Sequence, residues 1–202
     1  RRTNRLDLHV SLVCWRVDPR ADGSTHSFRR RSRPLSRRRL SLDWAKLPER
    51  VMLEQANLAY QENNSRRTTR HFSTQSVDRK LIELAIKSGS TAPNGAHLQP
   101  WTWVAVSNAE LKQRIRIAAE EEERRTYDHR MPEAWAEVLS PLGTDAVKEH
   151  LTDAPWVVVL FKQKKRLRAN GEWGPTYYAT ESCGIAAGLF INAVHRMGLV
   201  TL

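Results

Sequence analysis

Hydrophobic and polar positions alternate along this chain with two different periods, and the switches between them divide it into elements. From residue 47 the stretch "LPERVMLEQANLAYQEN" spaces its apolar residues as an amphipathic helix does, and "SRRTTRHFS" follows as a short connection. "SVDRKLIELAIKSG" returns to helical spacing, with Ser76 placed to cap it. "STAPNGAHLQP" is rich in Pro, Gly and Asn and reads as a loop. "WTWVAVS" reads as a strand, and residues 109–130 carry few helix breakers and many good helix formers, predicting a long helix. "PEAWAEVLSPLG" and "TDAVKEHLTDAP" predict two short helices. "WVVVLFKQ" is apolar enough for a strand buried on both faces. "YYATESCGIAAGLFINAVHRMGL" predicts a mostly apolar helix with small residues, lying in the core or at a subunit interface, and "VTL" begins a third strand. Helices around two strands and the start of a third predict an α+β domain whose sheet is incomplete at the C-terminal side, the chain reading as cut shortly after a helix-to-strand turn.

Charge separates this domain from what precedes it. The formal net charge of the 202 residues is +11. Residues 1–44 hold twelve Arg, no Lys and four Asp, a net of +8, which leaves +3 for the rest. With clusters such as "RRRSRPLSRRR" and no sustained apolar period, 1–44 is expected to be a disordered basic tail and 45–202 the folded domain. Three readings of the tail are open: an Arg-rich surface for nucleic acid or an acidic membrane, a transit-like segment, or an extension from a misplaced start. Aromatic residues are not interleaved with its arginines as base stacking requires, so nucleic acid is not an expected partner. The apolar run "LHVSLVCW" is too short to span a bilayer. Cytoplasmic location is therefore the expectation, with membrane attachment only through an anchor upstream of Arg1. Cys14 and Cys183 give neither a disulfide framework nor metal-ligand spacing, and His97, His129 and His150 share no ligand spacing, so no metal site is expected.

Four segments carry candidate chemistry. Arg66, Arg67 and Arg70 lie within five residues, and guanidinium forks match phosphate oxygens; a basic surface patch is the alternative. "APNGAHLQPW" offers backbone N–H groups that can receive an anionic oxygen, or is an ordinary strand-entry loop. In "EEEERRTYDHRM", Glu120 lies four residues before Arg124 and Glu121 four before Arg125, the favourable order for surface ion pairs. Glu123 has Tyr127 at that spacing instead, which puts a carboxylate and a phenol on one face without an ion-pair partner. That face is either solvated or aimed at a ligand. Lys148, in the second short helix, has Asp145 three residues before it, the spacing of a surface ion pair.

Taken in order, these segments resemble the nitroreductase superfamily and, within it, the iodotyrosine deiodinase group. The resemblance covers about residues 50–202. It rests on "RRTTR", on "APNGAHLQPW" against the group's "APSGAHxxPW", and on a Glu-x-x-x-Tyr followed by a Lys twenty-one residues later, here Glu123, Tyr127 and Lys148. The last is the discriminating feature, since general nitroreductases lack it. The resemblance implies a nitroreductase-like α+β fold with a central mixed sheet surrounded by helices. It implies FMN as cofactor, held by Arg66, Arg67, Thr68, Thr69 and Arg70 with Asn94. It implies that the backbone N–H of Ala96 meets the substrate phenolate and that Glu123, Tyr127 and Lys148 clamp the zwitterion. The implied activity is reductive deiodination of halotyrosines to tyrosine and halide by a homodimer, with NAD(P)H or a separate reductase as electron source. A nitro- or quinone-reductase of the same fold is the alternative, as is an inactive fragment with a basic interaction tail. The group's threonine that meets the flavin N5, and a further FMN-binding arginine, are implied to follow Leu202.

Overall fold

The computed structural model describes residues 44–168 and 170–202, together with two short strands, β1 (Val13–Cys14) and β2 (His26–Ser27). The expected boundary between a tail at 1–44 and a domain at 45–202 falls mostly outside the described residues. Within 1–44, β1, β2 and Trp44 are described. The two strands pair antiparallel with the two edges of the main sheet, where the unpaired N–H and C=O groups of an edge strand accept further backbone.

That sheet is built on β3 (Trp101–Val106) and β4 (Val157–Lys162), antiparallel over six residue pairs from Trp101 opposite Lys162 to Val106 opposite Val157. The strand order is β1-β4-β3-β2. Side chains alternate across a strand, and both alternations are apolar. Trp101 and Trp103 of β3 and Val158 and Leu160 of β4 are buried in one cluster. Val106 and Val157 are buried in the other, with Val104 and Val159 packed against it. A helix layer covers each face. On the first face lie α2 (Arg79–Gly89), through Ile82, Ala85 and Ile86, and α6 (Ala179–Arg196), through Cys183, Ala186, Phe190 and Val194. On the second lie α3 (Ala109–His129), through Leu111, Ile115 and Ala119, and α5 (His150–Asp153), through Leu151. The continuous apolar run at 156–161 is thus accounted for by a strand sandwiched between helices.

The remaining elements are α1 (Glu49–Ser65), α4 (Glu133–Leu139) with a 3-10 turn at Ser140–Leu142, a 3-10 turn at Gly95–His97, and a hairpin of β5 (Lys165–Leu167) and β6 (Trp173–Pro175) between β4 and α6. α1 buries no residue. Its C-terminal end is tied to α6 by Asn192 donating to Asn63 (2.6 Å) and by the Arg196–Glu62 ion pair (3.2 Å). No helix among the described residues is long and apolar enough to cross a membrane.

Four local expectations are corrected. The cap of α2 is Asp78, whose carboxylate accepts from the Lys80 N–H (2.6 Å), and not Ser76. Val77 between them is buried in the core, and its carbonyl accepts from the Trp156 indole (3.0 Å), so the chain is still extended there. The helix expected over "TDAVKEHLTDAP" is reduced to the four residues of α5, and Lys148 lies in irregular chain before it. The third strand is reduced to an isolated parallel bridge between Thr68 and Thr201, outside the sheets, whose described pairings are all antiparallel. Glu120 does not ion-pair with Arg124; its partner is Arg116, at 2.7 Å.

Phe190 is fully buried and stacks on Trp103, ring centroids 5.2 Å apart. Gly89 packs so closely against both that a Cβ would lie 2.9 Å from Trp103 and 3.1 Å from the Cβ of Phe190. Phe190→Ala is expected to lower unfolding free energy by about 3–5 kcal/mol, measured as a shift of the urea midpoint. An unchanged midpoint would place the core elsewhere.

Candidate functional site

The first of three local groups is the arginine segment between α1 and α2. Thr69 N–H donates to the Thr201 carbonyl (2.9 Å), which fixes 66–70 beside the chain leaving α6. Ser65, Arg66, Arg67, Thr69, His195 and Thr201 contribute to the lining of a cavity of about 130 Å³. Of these, His195 has Nε2 3.0 Å from the Ser65 hydroxyl and 2.8 Å from the Glu62 carbonyl. The Arg67 guanidinium turns back to donate to the Asn64 and Arg66 carbonyls (2.5 and 2.8 Å). The Arg66 N–H donates to the Asn63 carbonyl (3.3 Å), while the guanidinium groups of Arg66 and Arg70 make neither a hydrogen bond nor an ion pair to a described residue. Three guanidinium groups and two threonine hydroxyls in five residues form a donor-rich, anion-compatible strip.

The second group is the loop 92–100. Asn94 organises it: its Nδ2 donates to the Ala92 carbonyl (3.0 Å) and its Oδ1 accepts from the Gln99 N–H (2.8 Å). Those bonds leave one amide N–H and one lone pair of Asn94 for other use. Ala96, His97 and Gln99 all have positive φ, near +50°, a conformation uncommon for residues with a Cβ and concentrated at functional sites. Gly95 is required by contact, since a Cβ there would sit 2.7 Å from the Tyr177 carbonyl. The Ala96 N–H, on an exposed residue, donates to no described acceptor.

The third group joins α3 to the segment before α5. Lys148 Nζ makes an ion pair with Glu123 (2.8 Å) and donates to the Asp145 carbonyl (2.6 Å). The anticipated Asp145–Lys148 ion pair is therefore replaced by a main-chain contact. The Lys148 N–H donates to Glu120 (2.8 Å). Tyr127, one turn beyond Glu123, is half-buried, and its hydroxyl bonds to no described residue. Elsewhere in the same run Glu121 pairs with Arg125, as its spacing predicts, and Glu122 pairs with Arg130. One helix face is thus solvated while another meets a neighbouring segment.

The first and third groups adjoin electrostatically. His150 is held below the ordinary histidine value of 6.5, first by burial and then by the charges of Lys148, Arg70 and Arg116, with Asp153 opposing. Arg70, Arg116, Lys148 and His150 therefore share one positive neighbourhood. No hydrogen bond or ion pair among the described residues joins Asn94 or Ala96 to the other two groups. Sequence reasoning missed Arg116, His195 and Ser65. Arg116 alone had a signal, standing four residues before Glu120, but in the weaker of the two orders for an isolated helix. Among the described residues no cluster of three or more His, Cys, Asp or Glu is placed to hold a metal.

The nitroreductase family matches residues 64–202, and the chain belongs to it. It is 45% identical over 143 residues to the iodotyrosine deiodinase of Daphnia pulex, a match covering 71% of this chain and 48% of that protein. It is 43% identical over 155 residues to the iodotyrosine deiodinase of Haliscomenobacter hydrossis, covering 77% and 69%. A crystal structure of oxidized iodotyrosine deiodinase bound to FMN and 3-iodo-L-tyrosine superposes with a TM-score of 0.63 at 25% identity, covering 71% of this chain and 72% of that one. The chain spans about half the length of most of the curated relatives it matches.

Because His150 is neutral-favoured in the folded state, the unfolded chain binds more protons between the folded and unfolded pKa values. The stability His150 contributes is therefore complete above 6.5 and lost as pH falls through the lower, folded value. Urea midpoints at pH 7.5 and 5.5 should drop less in His150→Gln than in wild type. An equal drop in both would assign the pH dependence to other groups.

Proposed function

We propose that this chain carries the cofactor- and substrate-binding residues of an FMN-dependent oxidoreductase that reductively dehalogenates halotyrosines. The observation that carries the reading is the Glu123–Lys148 ion pair with Tyr127 one turn along, because these are the charges and hydroxyl that an amino-acid zwitterion needs. Glu123 suits the ammonium, Lys148 the carboxylate, and the Tyr127 hydroxyl can donate or accept. The relatives named iodotyrosine deiodinase support it, as does the likeness to the structure bound to FMN and 3-iodo-L-tyrosine.

The residues present fit the cofactor. The Arg66-lined cavity and the donors of Arg66, Arg67, Thr68, Thr69 and Arg70 suit a phosphate and the ribityl hydroxyls beside it. Asn94, braced as it is, keeps a donor and an acceptor for the same group. When bound, FMN supplies the two electrons that, with a proton, convert the carbon–halogen bond into carbon–hydrogen and halide. The protein's part is positional. The unpartnered Ala96 N–H stabilises a phenolate oxygen, and α3 closing with the 144–149 segment orients the zwitterion and excludes water. NAD(P)H or a separate reductase restores the electrons.

A homodimer is part of the same reading. α1 and its approach leave Trp44, Leu47, Leu53, Leu58 and Tyr60 exposed, and α6 leaves Ile185 and Leu189 exposed beside Gly184 and Gly188, whose Cβ positions are open. Two helices joined at their C-terminal ends, each with an uncovered apolar face, suit a second copy of the chain.

Two measurements test the proposal. Arg66→Ala with Arg67→Ala removes charge-assisted phosphate bonds worth about 1.5–3 kcal/mol each, so FMN should wash out on purification; a fully occupied double variant would make these surface arginines. Glu123→Gln should weaken 3-iodotyrosine binding by about 30-fold, near 2 kcal/mol. That is the low end for a broken charged pair, because the ligand no longer has to displace Lys148 from Glu123. Glu121→Gln should cost a few tenths of a kcal/mol, about the scale of an exposed i,i+4 pair. Binding of 4-iodophenol, which has no zwitterion, should be unchanged by either substitution. Equal losses at 121 and 123 would leave a nitro- or quinone-reductase of the same fold as the better reading.

A further inference from the structure

We infer that Glu120 is a positioning residue that sets Lys148 in register with α3, so that the second charge of the zwitterion site is fixed from the helix side. The inference rests on the proposed role of Lys148 and adds a residue to it. Lys148 follows irregular chain, residues 144–147, and precedes a helix of only four residues. Its internal bonds, from Lys148 Nζ to the Asp145 carbonyl (2.6 Å) and from the Val147 N–H to the Asp145 carboxylate (2.9 Å), shape the segment but do not tie it to α3. What ties it to the helix is a polar stripe along α3.

Lys112, Arg116, Glu120, Glu123 and Tyr127 succeed one another at intervals of four, four, three and four residues, the spacing of one helix face. The first three members bind the segment from 148 to 154. Lys112 Nζ donates to the Thr152 and Ala154 carbonyls (2.9 and 2.6 Å). Arg116 Nη1 donates to the Thr152 hydroxyl (3.0 Å), and Arg116 Nε donates to Glu120 (2.7 Å). The same Glu120 oxygen accepts the Lys148 N–H at 2.8 Å. The side chains of Arg116 and Glu120 are 22% and 16% exposed, so the linkage is sheltered and not a loose surface pair.

Glu120 stands where the structural part of the stripe passes into the part facing the ligand. One turn further, Glu123 meets the Lys148 head group. Backbone and side chain of Lys148 are thus held by successive carboxylates of one helix, and the first of them is itself anchored through Arg116 to α5. An ionised acceptor makes a shorter and stronger bond to a backbone N–H than a neutral one does. In keeping with this, the Glu120 carboxyl lies below the ordinary value of 4.5, chiefly because of the Lys148 N–H and next because of Arg116.

The test uses FMN-loaded protein and four variants. Binding of 3-iodotyrosine and 4-iodophenol is followed by flavin fluorescence, and exchange of the Lys148 amide by hydrogen–deuterium exchange without ligand. Glu120→Ala should accelerate Lys148 amide exchange, weaken 3-iodotyrosine about tenfold, and leave 4-iodophenol unchanged. Glu120→Gln, whose amide oxygen still accepts the N–H, should recover most of the affinity. Arg116→Gln should give an intermediate loss, and serves if Glu120→Ala does not fold. Unchanged amide exchange in Glu120→Ala, or equal weakening of both ligands, would overturn the inference. Lys148→Ala separates it from the functional reading. If Lys148→Ala weakens 3-iodotyrosine while Glu120→Ala does not, only the positioning role fails; if Lys148→Ala has no effect, the zwitterion site itself is wrong.

Discussion

The pairing of β3 with β4 is the constraint on which the rest of this structure depends. Six residue pairs hold two strands that are apolar on both faces, so neither face can be left to water and each must recruit helices. One face takes α2 and α6, with Phe190 and Trp103 at the contact. The other takes α3 and α5. The long excursion from Val106 to Val157 that joins the two strands contains α3, α4 and α5, so the segment that closes the sheet also carries Glu123, Tyr127 and Lys148. The side of the candidate site proposed to meet a zwitterion is a by-product of covering the second face.

The first face sets the other side. α6 packs against β3 and α2, and its C-terminal end holds the end of α1 and the arginine segment through His195, Asn192 and the Thr69–Thr201 contact. Just before α6, Tyr177 lies against Gly95 in the strained 92–100 loop. That loop enters β3 directly at Trp101. Loops at the ends of rigid elements are where binding residues are best positioned, and here the arginine strip, the Ala96 amide and the α3 stripe each depend on a different element packed on, or entering, the same two-strand core.

The elements were legible wherever the apolar period was long. The 101–106 and 157–162 strands and the 109–129 and 179–196 helices fall where alternation or helical spacing puts them, because burial on a sheet or against one enforces those periods. Legibility failed where a tertiary contact overrode local rules. Ser76 is a good cap by composition, but Val77 is drawn into the core and Asp78 is left to do the capping. "TDAVKEHL" has helical spacing, yet the Lys148 N–H is taken by Glu120 and the chain before it does not coil. Glu120 and Arg124 have the favourable ion-pair order, but Arg116 is also bonded to Thr152, and an arginine already ordered by a second partner loses less freedom on pairing than an exposed one. A joint role for Glu123, Tyr127 and Lys148 was implied only by the resemblance to the iodotyrosine deiodinase group, and the support beneath them, Arg116 and Glu120, was hidden in a run of charges whose neighbours are surface pairs.

The ion pair between Glu123 and Lys148 also bears on how such a site could choose its ligand. Each charge neutralises the other, so neither is left uncompensated at a partly sheltered position. A zwitterion exchanges this one pair for two, ammonium with Glu123 and carboxylate with Lys148, and the net charge of the site does not change. A phenol without the amino-acid group offers nothing to replace either partner, and the pair stays closed on itself. A ligand with only one of the two charges frees one protein charge for each it satisfies, and gains little. On the proposed reading, discrimination therefore arises from the cost of disturbing a pair that is already complete, and it requires that Lys148 be held where Glu123 can reach it before any ligand arrives.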